Sequence, residues 1–148
     1  MKDKPLWIGF HRIDAAIGGL QQGQITIISS DDEIALKALE YSIIRNVGVE
    51  QNRSAALFTL TSTKEEASLH LLSSTSKINR ENLSSGFISE KDWVTLTRAA
   101  GELSDASIFI DDSPAIATKE MFQKCFKLII TPAIEYVNFM RHKQPLDA

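Results

Sequence analysis

Ala55-Ala56-Leu57-Phe58-Thr59-Leu60-Thr61-Ser62-Thr63-Lys64-Glu65-Glu66 decides the fold class. Its opening half, through Leu60, is apolar or β-branched and lacks alternation, which suits a strand buried on both faces. From Thr63 the chain has capping-box spacing, a hydroxyl followed three residues on by Glu66, and opens a helix through Leu72. A doubly buried strand running straight into a helix is the repeating unit of a parallel sheet with helices on its faces.

Outward from this unit the same pattern recurs. Upstream, Gln24-Ile25-Thr26-Ile27-Ile28-Ser29 is a second β-branched run and predicts a buried strand. From Glu33 to Val47 a helix is expected, with Ile34, Ala35, Ala38, Leu39, Ser42, Ile43 and Val47 on its inner stripe and Gly48 as its stop. Downstream, Ser73–Ser76 reads as a loop, and Lys77 to Gly86 as short, irregular or helical. Ser89 starts another helix, with Trp93, Leu96, Ala100 and Leu103 inward. Ser107–Asp111 is a further strand, followed by the turn Asp112-Ser113-Pro114. Thr118 to about Lys127 is helical, and Pro132 leaves only part of Leu128–Met140 free to be strand. The fold class is α/β, a mostly parallel sheet flanked by helices. Such sheets place ligand chemistry at the carboxyl ends of their strands. That directs attention to Ser29–Glu33, Thr61–Thr63, Asp111–Pro114 and the segment around Glu135.

The 148 residues suffice for one domain, with a glycine-rich opening at 1–23, an α/β core at 24–140 and a tail at 141–148. Sixteen basic residues against nineteen acidic ones give a net charge of -3, which argues against a broad nucleic-acid surface. No apolar run reaches the roughly 18 residues of a spanning helix, and no signal-peptide pattern follows Met1. The single cysteine, Cys125, forms no internal disulfide, and His11, His70 and His142 have no metal-ligand spacing. A reduced, cytoplasmic domain without a metal is expected.

Several islands carry a resemblance. Residues Ile8-Gly9-Phe10 through Ile13-Asp14, then Gly18-Gly19-Leu20 and Gly23, follow a TGFxxLDxxxGGLxxG pattern. Phe58–Thr63 falls where that pattern continues as FSLEMS, and Leu71-Leu72-Ser73 where it has RLLS. Leu83-Ser84-Ser85-Gly86 with Asp92-Trp93 matches LRxGxLxxxDW, and Ile110–Pro114 matches IDDTP. Ile134–Met140 echoes IDYLQLM. Kept in order, these islands resemble the RecA-like ATPase domain of the DnaB replicative helicase family. The resemblance implies a RecA-like, P-loop-NTPase-type three-layer fold, a hexamer, ATP hydrolysis and movement along single-stranded DNA.

The family's chemistry does not carry over residue by residue. Where its pattern has GxxxxGK[ST], this chain has Ser29-Ser30-Asp31-Asp32-Glu33-Ile34-Ala35-Leu36-Lys37, with no glycine between Gly23 and Gly48. Leu36 stands at the lysine position and Lys37 at the hydroxyl position, and a one-residue slip would restore only the lysine. The lost loop would have wrapped phosphates in backbone N–H groups. One like-charge contact at ~4 Å costs about 1 kcal/mol in water and about 4 at intermediate dielectric. Several from Asp31, Asp32 and Glu33 would remove most of the ~8 kcal/mol of a micromolar affinity. Ser30-x-x-Glu33 instead reads as a capping box, with Asp31 and Asp32 favoured by the helix dipole. The family's water-activating glutamate is Thr61, whose hydroxyl is too weakly acidic to serve as a general base near neutrality. Asp111 and Asp112 read as turn-forming, and Glu135 as the remnant of a Walker B position.

The resulting expectation is a shortened, catalytically inactive DnaB-like core, an interaction or regulatory module tied to DNA replication, with no cofactor. Its shortness is expected to leave a sheet edge open, to be covered by self-association or by a protein partner such as a replicative helicase. DNA binding by the chain alone and membrane association are not expected. Two alternatives stay open. One is an ATP- and Mg2+-binding helicase-like domain with an atypical phosphate loop. The other is a gene remnant that still folds.

Overall fold

The computed structural model describes residues 5–21, 23–130 and 136–140. Among the described residues the sheet has three parallel strands, in the spatial order Ile108–Asp111 (β2), Ala55–Thr59 (β1), Tyr136–Met140 (β3). Strand β1 (Ala55–Thr59) is central and buried throughout. It pairs with β2 (Ile108–Asp111) from Ala55↔Ile108 to Phe58↔Asp111, and with β3 (Tyr136–Met140) from Ala55↔Tyr136 to Thr59↔Met140. The unalternating apolar run at 55–59 is explained by this position, because both its faces are covered.

Alternate residues of β1 serve two cores. Ala55 and Leu57 join Leu6, Ile8, Tyr41, Ile43, Ile44, Val47, Ala67 and Leu71. These come from the opening segment, from α2 (Glu33–Arg45) with the π-helical turn Asn46–Glu50, and from α3 (Lys64–Ser76). Ala56 and Phe58 face Cys125 on α6 (Thr118–Ile130), with Phe109, Ile116 and Met121 packed around them. Helices on both faces of a parallel sheet give the three-layer arrangement expected of the sequence.

The opening segment is pinned by polar bonds. Leu6 and Leu20 form an antiparallel bridge around α1 (His11–Ile17). The buried Asp14 carboxylate accepts hydrogen bonds from the N–H groups of Ile8 (2.8 Å) and Gly9 (2.9 Å). Asn46 Nδ2 donates to the Ile8 carbonyl at 2.8 Å. Gly9 sits at φ +93°, and a Cβ there would lie 1.9 Å from Asn46 Nδ2. The glycine is required on both counts.

Several expectations are corrected. Residues 24–29 form no strand. Ile25 and Ile27 are 91% and 87% exposed, and no sheet partner is found for the segment among the described residues. Strand propensity alone cannot satisfy a backbone; a neighbouring strand must supply donors and acceptors. Of the expected inner stripe, Ile43 and Val47 are buried and Leu39 packs against the core, but Ile34 is 84% exposed and Ala35 and Ala38 face out; Leu36, Tyr41 and Ile44 complete the buried side. Both stripes have helical spacing, and packing on β1 selects the larger residues. Gly48 does not end the helix; it lies inside the buried π-helical turn, where a Cβ would come 2.4 Å from Ile108 Cγ1. Ser73–Ser76 is helical; the Thr75 hydroxyl donates back to the Leu71 carbonyl within the helix, and the Ser73 hydroxyl donates to the Ile78 carbonyl in the turn that follows. The helix stops at Lys77, in the left-handed region. Between it and α5 (Glu90–Asp105) lies α4 (Arg80–Ser85). On α5 the buried residue is Ala99, while Ala100 is exposed and Trp93 is 55% exposed. Helix α6 runs on to Ile130, beyond the expected stop at Lys127. Among the described residues no helix is long and apolar enough to cross a membrane.

Candidate functional site

Parallel strands bring the ends of β1 and β2 to one edge of the sheet, and α3 begins beside them. Thr63 caps α3 through a full capping box with Glu66. The next N–H, of Lys64, donates to Asp112 Oδ2 at 3.0 Å, tying the end of β2 to the start of α3. Thr61 lies exposed in the bend between β1 and α3.

Asp111 is engaged on its other side. Its Oδ1 accepts from the Ser113 N–H at 2.9 Å, and its Oδ2 meets Lys124 Nζ at 2.7 Å. Lys124 also donates to Ser113 Oγ at 2.8 Å. Burial works to raise the Asp111 carboxyl, but the hydrogen bonds from Lys124 and Ser113 and the lysine's charge hold it below its usual range. The Lys124 ammonium is raised, first by its hydrogen bond to Asp111. The aspartates expected to form a turn thus fasten α6 and α3 to the sheet. Lys124 was not legible as the partner of Asp111; its only local signal is the i,i+4 spacing from Glu120.

The start of α2 closes on itself, though by other residues than the sequence suggested. The cap is Asp32, whose Oδ1 accepts from the N–H groups of Ile34 and Ala35, each at 3.0 Å. Ser30 Oγ accepts from the Asp32 N–H at 3.1 Å and lies outside the helix with Asp31. Glu33 is the first helical residue. A short aspartate directly at the cap reaches the free N–H groups better than a serine two residues earlier. Leu36 is buried. The Lys37 charge acts on Glu40 and on His70 of α3, inside the α2–α3 seam. Burial pushes the Glu40 carboxyl up to about 7, against the pull of Lys37. Glu135 lies outside the described residues. Among the described residues, no group of three His, Cys, Asp or Glu is placed to hold a metal ion.

With this geometry in hand, the relatives are informative. The pattern described as "DnaB-like helicase C terminal domain" matches residues 6–146. The chain belongs to that family. DnaB-type relatives include the replicative DNA helicase DnaC of Bacillus subtilis, 33% identical over 120 residues. The replicative DNA helicase DnaB of Geobacillus stearothermophilus is 32% identical over the same length. Each alignment takes in 81% of this chain and 26% of the relative, so the chain spans about a quarter of those helicases. The solved structure of a DnaB-like replicative helicase, described with its interactions with primase, superposes with a TM-score of 0.83 at 18% identity. It covers 97% of this chain and 36% of that one. A solved ATPase domain superposes at 0.82 and 20% identity, covering 99% of this chain and 55% of its own. The DnaB-like fold is therefore RecA-like, as the ordered islands implied.

Within that DnaB-like frame the structure brings Thr61–Lys64 and Asp111–Asp112 together. It keeps Lys37 in the α2–α3 seam. Sequence reasoning missed the structural role of Asp14 and the stacking of Tyr41 on His70. The spacing of Gly9 and Asp14 signalled the first, and nothing local signalled the second.

Proposed function

We propose that this DnaB-like domain is catalytically inactive and works through protein contacts, as an interaction or regulatory module in DNA replication. The observation that carries the proposal is the start of α2. The helix end that would meet phosphates has Asp32 on its free N–H groups, with Asp31 and Glu33 beside it. A triphosphate arriving there would have to displace the cap and face these carboxylates. Thr61 at the glutamate position supports the same reading, because no carboxylate is supplied there to activate water. The exposed apolar residues Ile25 and Ile27, without a sheet partner among the described residues, support the protein-contact part, since a partner strand would satisfy both their backbone and their side chains. A second copy or a replicative helicase subunit is the partner this reading favours.

Calorimetric titration with ATP and Mg2+ tests the first part. No saturable heat is expected up to millimolar nucleotide. Micromolar binding that Lys37→Ala weakens would replace this proposal with the ATP-binding alternative. Light scattering, alone and mixed with a replicative helicase, tests the second part; a strict monomer that binds no helicase would remove it.

A further inference from the structure

Tyr41 of α2 is buried and stacks on His70 of α3, with ring centroids 4.5 Å apart and planes within 11°. This stack fixes the plane of the imidazole. Arg80, the first residue of α4, brings Nη1 against His70 Nε2. A guanidinium only donates and does not lose its proton in proteins. The contact therefore requires a bare Nε2 lone pair, hence a neutral ring with its proton on Nδ1. Protonating the ring would set donor against donor and cation against cation.

The surroundings press the same way. Lys37 and Tyr41 face His70 from α2, Glu66 from its own helix and Arg80 from α4. Burial, then Arg80, then Lys37 lower the imidazole from its usual 6.5, against Glu66. Glu40 adds a carboxylate near Tyr41.

Helix α4 is built to respond. None of its residues is buried. The turn before it is held by α3: Ile78 is buried, its carbonyl accepts from Ser73 Oγ at 2.6 Å, and its N–H donates to Ser76 Oγ at 3.3 Å. Asn79 caps the next turn through Glu81 N–H at 2.8 Å. Up to Ile78 the chain is fixed; from Arg80 onward α4 rests on α3 through exposed and half-buried contacts. We propose that His70 is a proton-operated latch: neutral, it accepts from Arg80 and holds the start of α4 on the α2–α3 face; protonated, it releases it. The latch is independent of nucleotide binding and would alter the surface around α4 and the exposed Phe87.

Nitrogen-15 NMR of the full chain between pH 8 and pH 5 tests this. At pH 7.5 His70 is expected as the Nδ1–H tautomer. Its midpoint should lie below 6.5 and rise in Arg80→Met. Amide resonances of residues 81–86 should shift with the same midpoint. They should lose that dependence in His70→Gln, whose amide keeps an acceptor and a planar face. A parallel series in Glu40→Gln separates the carboxyl that titrates near 7. An Nε2–H tautomer at pH 7.5, or α4 amides that do not follow the His70 midpoint, would overturn the latch.

Discussion

Asp14, itself buried, has both carboxylate oxygens committed to backbone N–H groups, at Ile8 and Gly9. Removing it orphans two donors, one of them fully enclosed. Asp14→Ala is expected to cost roughly 3 kcal/mol, read as a lower urea midpoint at unchanged slope. The sequence displayed Gly9 and Asp14 at a recognisable spacing but not the reason, since Asn46, which packs on Gly9, is 37 positions away. Glu40 is a second residue whose behaviour is decided by surroundings. Its folded carboxyl titrates near 7, above the usual 4.5. The folded state therefore holds a proton that the unfolded chain has released, and stability falls as pH rises between these values. Glu40→Gln is expected to stabilise the protein at pH 8 by about 1 kcal/mol after solvent screening, with little change at pH 4. Denaturant curves at both pH values check the sign.

At the scale of elements, two β-branched or apolar runs look alike in sequence and behave differently in the fold. Residues 55–59 are buried between two neighbours, while residues 24–29 are exposed. Leu57→Ala is expected to cost about 2–5 kcal/mol, and Ile27→Asp less than about 0.5 kcal/mol, in thermal unfolding of the 148-residue chain. A loss above 2 kcal/mol for Ile27→Asp would place 24–29 in a core after all. Helix starts were more legible, because a cap is local. Thr63 with Glu66 and Ser89 cap where their spacing says. At α2 the acidic run was enough to predict a self-satisfied helix end, although choosing Asp32 over Ser30 took the backbone itself. The serine run at 73–76 misled because composition does not reveal that Thr75 bonds back to its own helix and that Ser73 bonds forward to the turn beyond it.

At the scale of the molecule, Lys124, Asp111 and Ser113 fasten α6 to the sheet, and Asp112 fastens α3. The Asp111 carboxyl is held below its usual 3.8, so its contribution is complete above that value and is lost as pH falls through the lower folded value. The Lys124 ammonium is raised above 10.5, so its contribution is complete below that value and is lost as pH rises beyond it. Lys124→Met is expected to lower the urea midpoint at pH 7 and to flatten its fall below pH 4. An unchanged acid profile in that variant would mean that Asp111 is held by Ser113 alone.

By itself the sequence determined the α/β class, the order of most elements, the family and the acidic character of the first long helix start. Those are properties of local spacing, capping chemistry and ordered motif islands, all read along the chain. Only the tertiary structure decided which apolar run enters the sheet, which stripe of α2 is inward, and how Asp14, Lys124 and His70 are partnered. Burial and pairing depend on what lies opposite, and residues opposite each other, such as Tyr41 and His70 or Lys64 and Asp112, are far apart in sequence.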